Sequence, residues 1–251
     1  MLSNLKIMAA GLITIAFLAL PVYYWHAQQV RMDNLQCQDP ASGELLVIIL
    51  DVSDPYDPVD ANRVAAEITE ALARLPKGTR YVMIRPNEKD PYTPIEELNA
   101  CALPALDTSA TYLMSPNAIE AYKKSQAQAI EQARKKTDVV LHQGPSRTSP
   151  LIETLVAISK MHDFRSHGRA TIYMYSDMEQ NSPNSSVYKR HHTQQAPSKP
   201  MPFEPISLGG TKIYVKRIVR RTSLGLEEHQ RIRDMWNGWF KSSNAEVIWE
   251  K

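Results

Sequence analysis

Leu45–Leu50 reads LLVIIL and runs directly into Asp51-Val52-Ser53-Asp54-Pro55. Six consecutive apolar residues have the length of a strand and lack the polar alternation of a half-wet one. Such a run suits a strand covered on both faces, as in the parallel sheets of α/β proteins. The Asp-Val-Ser-Asp-Pro string cannot continue it, because proline has no N–H to give to a ladder and Asp and Ser favour turns. The chain therefore leaves the sheet with a carboxylate and a hydroxyl at the strand's carboxyl end, where open α/β sheets bind their ligands.

Working outward, the same pattern repeats. Val64, Ala65, Ile68, Ala71, Leu72 and Leu75 form a helical stripe within 59–75, stopped by Pro76 and Gly78. Tyr81–Ile84 reads as a second strand. Residues 86–117 hold five prolines and read as a long irregular connection. Ser115 followed by Pro116 starts a helix expected to reach Lys136, and Ser149 followed by Pro150 starts another expected to reach Met161. Ala170–Tyr175 is a strand ending at Ser176-Asp177, and 181–210 reads as a polar, mobile loop. A strand over 212–219, a helix over 226–241 and a last strand over 245–249 complete the alternation. The expected fold is α/β, a doubly wound, mostly parallel sheet with helices on both faces.

The composition agrees with one such domain. The chain has 251 residues, and 43% of them are hydrophobic, enough for a core and against wholesale disorder. Net charge is only +2, but residues 185–251 carry +6 and residues 1–184 carry −4. Ile7–Trp25 is uncharged and, as a helix, would span roughly 28 Å, close to a bilayer core. Tyr23, Tyr24 and Trp25 close it with rings suited to the headgroup level. No small-residue cleavage site follows, so 1–25 is read as an uncleaved transmembrane anchor, with a cleaved signal peptide as the competing reading. Residues 26–43 form a tether and 44–251 the domain. The count of flanking basic residues is nearly a tie, and the orientation rests on the cysteines. An inner-membrane, single-pass protein with its domain periplasmic or extracellular could pair Cys37 with Cys101, tying down the long connection; two unrelated buried thiols are the alternative.

Polar residues collect at the carboxyl ends of the predicted strands. Asp51 and Ser53 follow the first, Thr148 and Ser149 precede a helix, and Asp177 follows the later strand. Carboxylates and hydroxyls converging on one rim are hard oxygen ligands, the chemistry of Mg²⁺.

In order, ILDVSDP, TSPLIETL and IYMYSDM resemble the von Willebrand factor A domain. That family's metal-ion-dependent adhesion site uses Asp-x-Ser-x-Ser, a Thr heading a helix and an Asp ending a strand. The resemblance, over roughly residues 44–250, implies metal ligands at Asp51, Ser53, Ser149 and Asp177, with Asp54 and Thr148 as accessory candidates. Pro55 stands where the family has its second serine and offers neither hydroxyl nor N–H, so the site is degenerate. A narrower resemblance is to bacterial membrane-anchored proteins of this fold, carried by the first loop, the intervening cysteine and Ser176–Ser182; it supports the exported disulfide. Together these imply a protein-interaction module binding a protein partner, as a subunit of an envelope or conjugation-type assembly, and no enzyme.

Other features carry less. Asp51 after an apolar strand is also similar to the nucleophile of haloacid-dehalogenase phosphatases, the alternative reading, but Ser53 stands where that chemistry needs an acid. His191-His192 lacks a third metal ligand. Lys212, Lys216, Arg217, Arg220 and Arg221 cluster on and after one strand, read as a charged, protected edge in preference to a patch for an acidic partner, anionic lipid or nucleic acid. No nucleic-acid motif accompanies them. Trp236, Trp239 and Phe240 read as core.

Overall fold

The computed structural model describes residues 37, 43–76, 78–103, 115–188, 206–218 and 226–250. The anchor reading at 7–25, most of the tether, the histidine pair, Arg220 and Arg221 lie outside the described residues. Among those described, no helix is long and apolar enough to cross a membrane.

Six strands form one sheet in the order β3-β2-β1-β4-β5-β6: β1 Glu44–Leu50, β2 Arg80–Arg85, β3 Ile95–Cys101, β4 Arg169–Ser176, β5 Lys212–Arg217 and β6 Glu246–Glu250. Every pairing is parallel except β2 with β3. The helices are α1 Pro58–Ala73, α2 Pro116–Leu141, α3 Leu151–Lys160, α4 His162–Ser166 and α5 Leu226–Ser242. The strand order reverses between β1 and β4, the crevice position at which such sheets open for ligands.

The apolar run at 45–50 is buried on both faces, as expected. Leu45, Val47 and Ile49 join Ile172, Met174, Val215, Leu155 and Trp236 in one core, while Leu46, Ile48 and Leu50 join Val64, Ile68, Met83 and Val140 in the other. Successive strand side chains point to opposite faces, so one continuous run feeds both layers. In α5, Trp236 stacks on Phe240 with ring centroids 5.2 Å apart, and both are fully buried.

Helix starts follow their capping residues. Asp57 accepts from the N–H groups of Val59 and Asp60, both at 2.8 Å, ahead of Pro58. Ser115 caps α2, which runs past Lys136 to Leu141 because Thr137 and Val140 still face the core. α3 departs from expectation. It begins at Leu151 with no side-chain cap, since the Ser149 hydroxyl is committed elsewhere.

Three further expectations are corrected. The connection over 86–117 contains β3, an antiparallel edge strand whose Glu97 and Asn99 take hydrogen bonds from Arg85 (2.7 Å) and Arg80 (3.0 Å). Its half-exposed, polar sequence IEELNAC lacks a strand's apolar signature, and those charges suit an exposed edge. β5 is not an edge but lies between β4 and β6; Lys216 pairs with Glu250 and sits 5.6 Å from the centroid of the Tyr173 ring. Finally, the described ends of the 181–210 loop are packed, with Ser182, Val187 and Leu208 all buried.

Cys37 and Cys101 form a disulfide, with Cα atoms 5.2 Å apart across 64 positions. Cys101 pairs with Arg80, the first residue of β2, so the clasp sits at the amino end of the parallel strands. Closing a loop of that length limits the unfolded ensemble by about 4 kcal/mol on the chain-entropy account.

Candidate functional site

Asp51 directly follows β1 with no exposed surface, and its backbone N–H extends the ladder to Tyr175 O at 3.0 Å. A buried carboxylate is tolerable only when its oxygens are satisfied. Three donors satisfy it here. The Ser53 N–H meets Oδ1 at 3.0 Å, while the hydroxyls of Ser149 (3.0 Å) and Ser176 (2.7 Å) both meet Oδ2. Positions 98 and 125 residues away are thus gathered on one oxygen. The three loops are also stitched through backbone: Ser146 N to Val52 O at 3.3 Å, and Ser149 and Asn181 exchanging N–H···O bonds of 2.7 and 2.9 Å.

Asp177 is 5% exposed and accepts the Glu179 N–H at 2.9 Å, one residue beyond Ser176. Ser53 is half-buried and Asp54 exposed. Thr148 lies between them and Ser149 in the loop order, and its Oγ1 is buried with no hydrogen-bond partner. Glu179 Oε1 is orphaned in the same way, while its Oε2 accepts from the Tyr188 hydroxyl. Burial first, then that hydrogen bond and the charges of Glu179, Asp177 and Asp54, push the Tyr188 phenol well above its ordinary value. Three carboxylates therefore act on one point of the rim.

Several residues that build this rim have no counterpart in the motif reading. Ser176 is the second hydroxyl on Asp51. Met178 holds a left-handed φ of 67°, a conformation that strains a non-glycine residue; its N–H donates to Ser176 Oγ at 2.8 Å and its carbonyl accepts from Trp236 Nε1 at 2.8 Å. Beneath the rim, Glu153 is fully buried and accepts from Gln180 Nε2 (2.9 Å) and the Ser182 hydroxyl, while Gln180 Oε1 takes the Ile152 N–H at 3.0 Å. The available signal was a charge at 153 within the apolar helix LIETLVAI.

The donor set fits a hard divalent cation, with Asp51 in a supporting place. Its oxygens are taken by the chain's own donors, but a hydroxyl that donates keeps lone pairs, as Ser149 does. Ser53, Asp54 and Asp177 supply further oxygens, and the orphaned Thr148 Oγ1 and Glu179 Oε1 are atoms that a cation or its waters would satisfy. Among the described residues, no three His, Cys, Asp or Glu side chains are grouped as a metal cluster, so hydroxyl and water oxygens would have to carry part of any coordination. As a nucleophile Asp51 is poorly placed, being fully buried with three donors on its oxygens.

No family model matches the chain, and no curated protein does. Among solved structures, a von Willebrand factor type A from Catenulispora acidiphila is similar with a TM-score of 0.43 at 13% identity, over 84% of this chain and 39% of that one. The likeness thus covers less than half of that longer protein.

Proposed function

We propose that the domain is a protein-interaction module that captures its partner at the carboxyl-end rim, through a Mg²⁺-type cation held by Ser53, Ser149 and Asp177 with Asp54 and Thr148 beside them. The carrying observation is the convergence of Ser149 and Ser176 on the buried Asp51, which fixes three distant loops into one acidic, hydroxyl-lined rim. Bound there, Mg²⁺ would supply an open coordination position for a partner's carboxylate oxygen. The chain's own residues orient the loops and concentrate negative charge. Tyr188, 38% exposed and hydrogen-bonded to Glu179, adds apolar ring area beside the rim for a protein surface. In this reading residues 7–25 anchor the protein in a bacterial inner membrane, the domain is exported, and the partner belongs to an envelope or conjugation-type assembly.

The test compares full-length wild type with Ser53→Ala and Asp177→Asn. Titration calorimetry with Mg²⁺ should show binding weakened at least ten-fold in the variants, and partner capture from solubilised membranes should fall with chelator and with either substitution. Capture that is unchanged by all three moves the binding surface away from the rim. Activity from a C-terminal fusion reporter that works only in the cytoplasm would overturn the export reading separately.

A further inference from the structure

An open cleft of about 950 Å³ lies at the amino ends of β1, β4 and β5, a full strand length from the rim. Its mouth carries Lys160, Arg165, Arg169 and Lys212, all exposed, and among the described lining residues Glu44 is the one carboxylate. Arg169 and Glu44 lie 3.9 Å apart with the arginine side chain 86% exposed, so that contact leaves most of the guanidinium facing water. The lining is not uniformly polar. Ile206, half-buried, contributes apolar surface, Phe164 and Leu208 in the lining are buried in the core, and Gly209 and Gly210 turn the chain at φ of 60° and 77°, where a side chain would be strained and where no heavy atom lies within 4 Å of the missing Cβ. Exposed cations around a cleft with little apolar lining suit an anionic headgroup at a surface.

The path of the chain places this edge. β1 enters it at Glu44, and the disulfide holds Cys37 beside the first residue of β2 on the same side of the sheet. Twelve peptide steps separate Trp25 from Cys37, a reach of at most roughly 40 Å fully extended. In the anchor reading, Cys37 therefore lies within that reach of the bilayer, on the amino side of the sheet.

We infer that the cleft is a docking site for the headgroups of anionic phospholipids, holding the domain amino edge down on the membrane with the rim facing away. The inference rests on the anchor reading proposed above. Each basic residue near an anionic surface strengthens binding by about five-fold at moderate ionic strength, and salt screens the effect within roughly a nanometre.

The full-length chain is reconstituted in nanodiscs of phosphatidylcholine, with or without phosphatidylglycerol, and amide exchange is followed over 160–171 and 206–212. Phosphatidylglycerol should slow exchange in both segments several-fold. High salt should abolish the protection, and Lys160→Glu with Arg169→Glu should remove it while leaving the thermal melt in place, since both side chains are exposed. Equal exchange in the two lipids overturns the inference. Equal protection from glycerol phosphate added to phosphatidylcholine discs also overturns it, showing a site for soluble anions. Retention in the discs after an alkaline, high-salt wash reads the anchor by itself. A chain that stays without protection sinks the cleft and keeps the anchor. One that washes off, yet is protected by added phosphatidylglycerol vesicles, does the reverse.

Discussion

The two ends of the sheet are built on opposite terms. At the carboxyl end, Asp51, Asp177 and Glu179 are buried carboxylates, Ser149 and Ser176 are buried hydroxyls, and donors from three loops close on Asp51. At the amino end, cations stand exposed around the cleft, while the disulfide and the Arg80–Asp163 ion pair (3.2 Å) do the tying. Buried polar networks are costly to leave half-made, so the rim is rigid as a unit and sensitive to each of its members. Exposed cations interact weakly with their neighbours, so the amino edge can lose one without structural consequence. The sheet thus separates an end whose shape is specified from one whose field is specified.

Breaking the amino-end clasp should have the largest effect on stability. Cys37→Ser with Cys101→Ser is expected to lose about 4 kcal/mol in urea unfolding, or less where the reduced unfolded chain stays compact. An identical midpoint with and without reductant would mean that the clasp does not constrain the unfolded chain. Next comes Asp51→Ala at the rim. It strands two hydroxyls and one N–H in a dry site, and about 3 kcal/mol should be lost with an unchanged denaturant slope. A loss under about 1 kcal/mol would imply that water replaces the carboxylate, and that the rim is wetter than the burial of Asp51 indicates.

How legible each end was follows from the same contrast. LLVIIL announced a doubly covered strand because burial on both faces demands unbroken apolarity, and the Asp, Ser and Asp at strand ends lay where topology brings ligands together. β3 escaped notice because an edge strand can be polar; the exposed Glu96, and a Glu97 whose buried side chain is held by Arg85 and Lys136, are what a strand pattern lacks. The support of the rim was hidden for another reason. Glu153 and Gln180 are 27 positions apart, and no local periodicity registers a hydrogen bond across that distance. The basic cleft was not legible because it joins two segments, 160–169 and the start of β5 at Lys212, whose adjacency only the sheet order supplies. The clustered basic residues of β5 drew attention instead, although Lys216 is already paired within the sheet.

Gln180→Leu sharpens the comparison by testing whether the rim depends on what lies beneath it. The substitution removes one of the two side-chain donors to buried Glu153 and the acceptor of the Ile152 N–H, and should cost about 2 kcal/mol. Because Ser149 and Asn181 bridge the same loops, Mg²⁺ affinity at the proposed site should fall as well. Lys212→Glu, by contrast, should change stability by less than about 0.5 kcal/mol, as an exposed charge away from any buried partner. Were the two substitutions equal in cost, the distinction between a specified shape and a specified field would fail.

The smallest effect belongs to alkaline pH. Tyr188 has its phenol pKa raised by burial, by its hydrogen bond to Glu179 and by the carboxylates of Glu179, Asp177 and Asp54. Below the ordinary tyrosine value near 10 the phenol is protonated in both folded and unfolded chains, and stability does not depend on it. Above that value the unfolded chain gives up the proton first. The folded chain then binds more protons than the unfolded one, and stability falls as pH rises. The slope contributed should stay well under about 1.4 kcal/mol per pH unit, because Tyr188 is 38% exposed and solvent screens its neighbours. Tyr188→Phe should flatten this part of the profile and remove a late component from the phenolate absorbance titration. Tyr175, fully buried and also raised, remains as an internal control that the rim charges do not dominate. Loss of an early, ordinary phenolate component in Tyr188→Phe would mean that the acidic oxygens of the rim are not focused on that point, and the electrostatic half of the contrast between the two ends would have to be withdrawn.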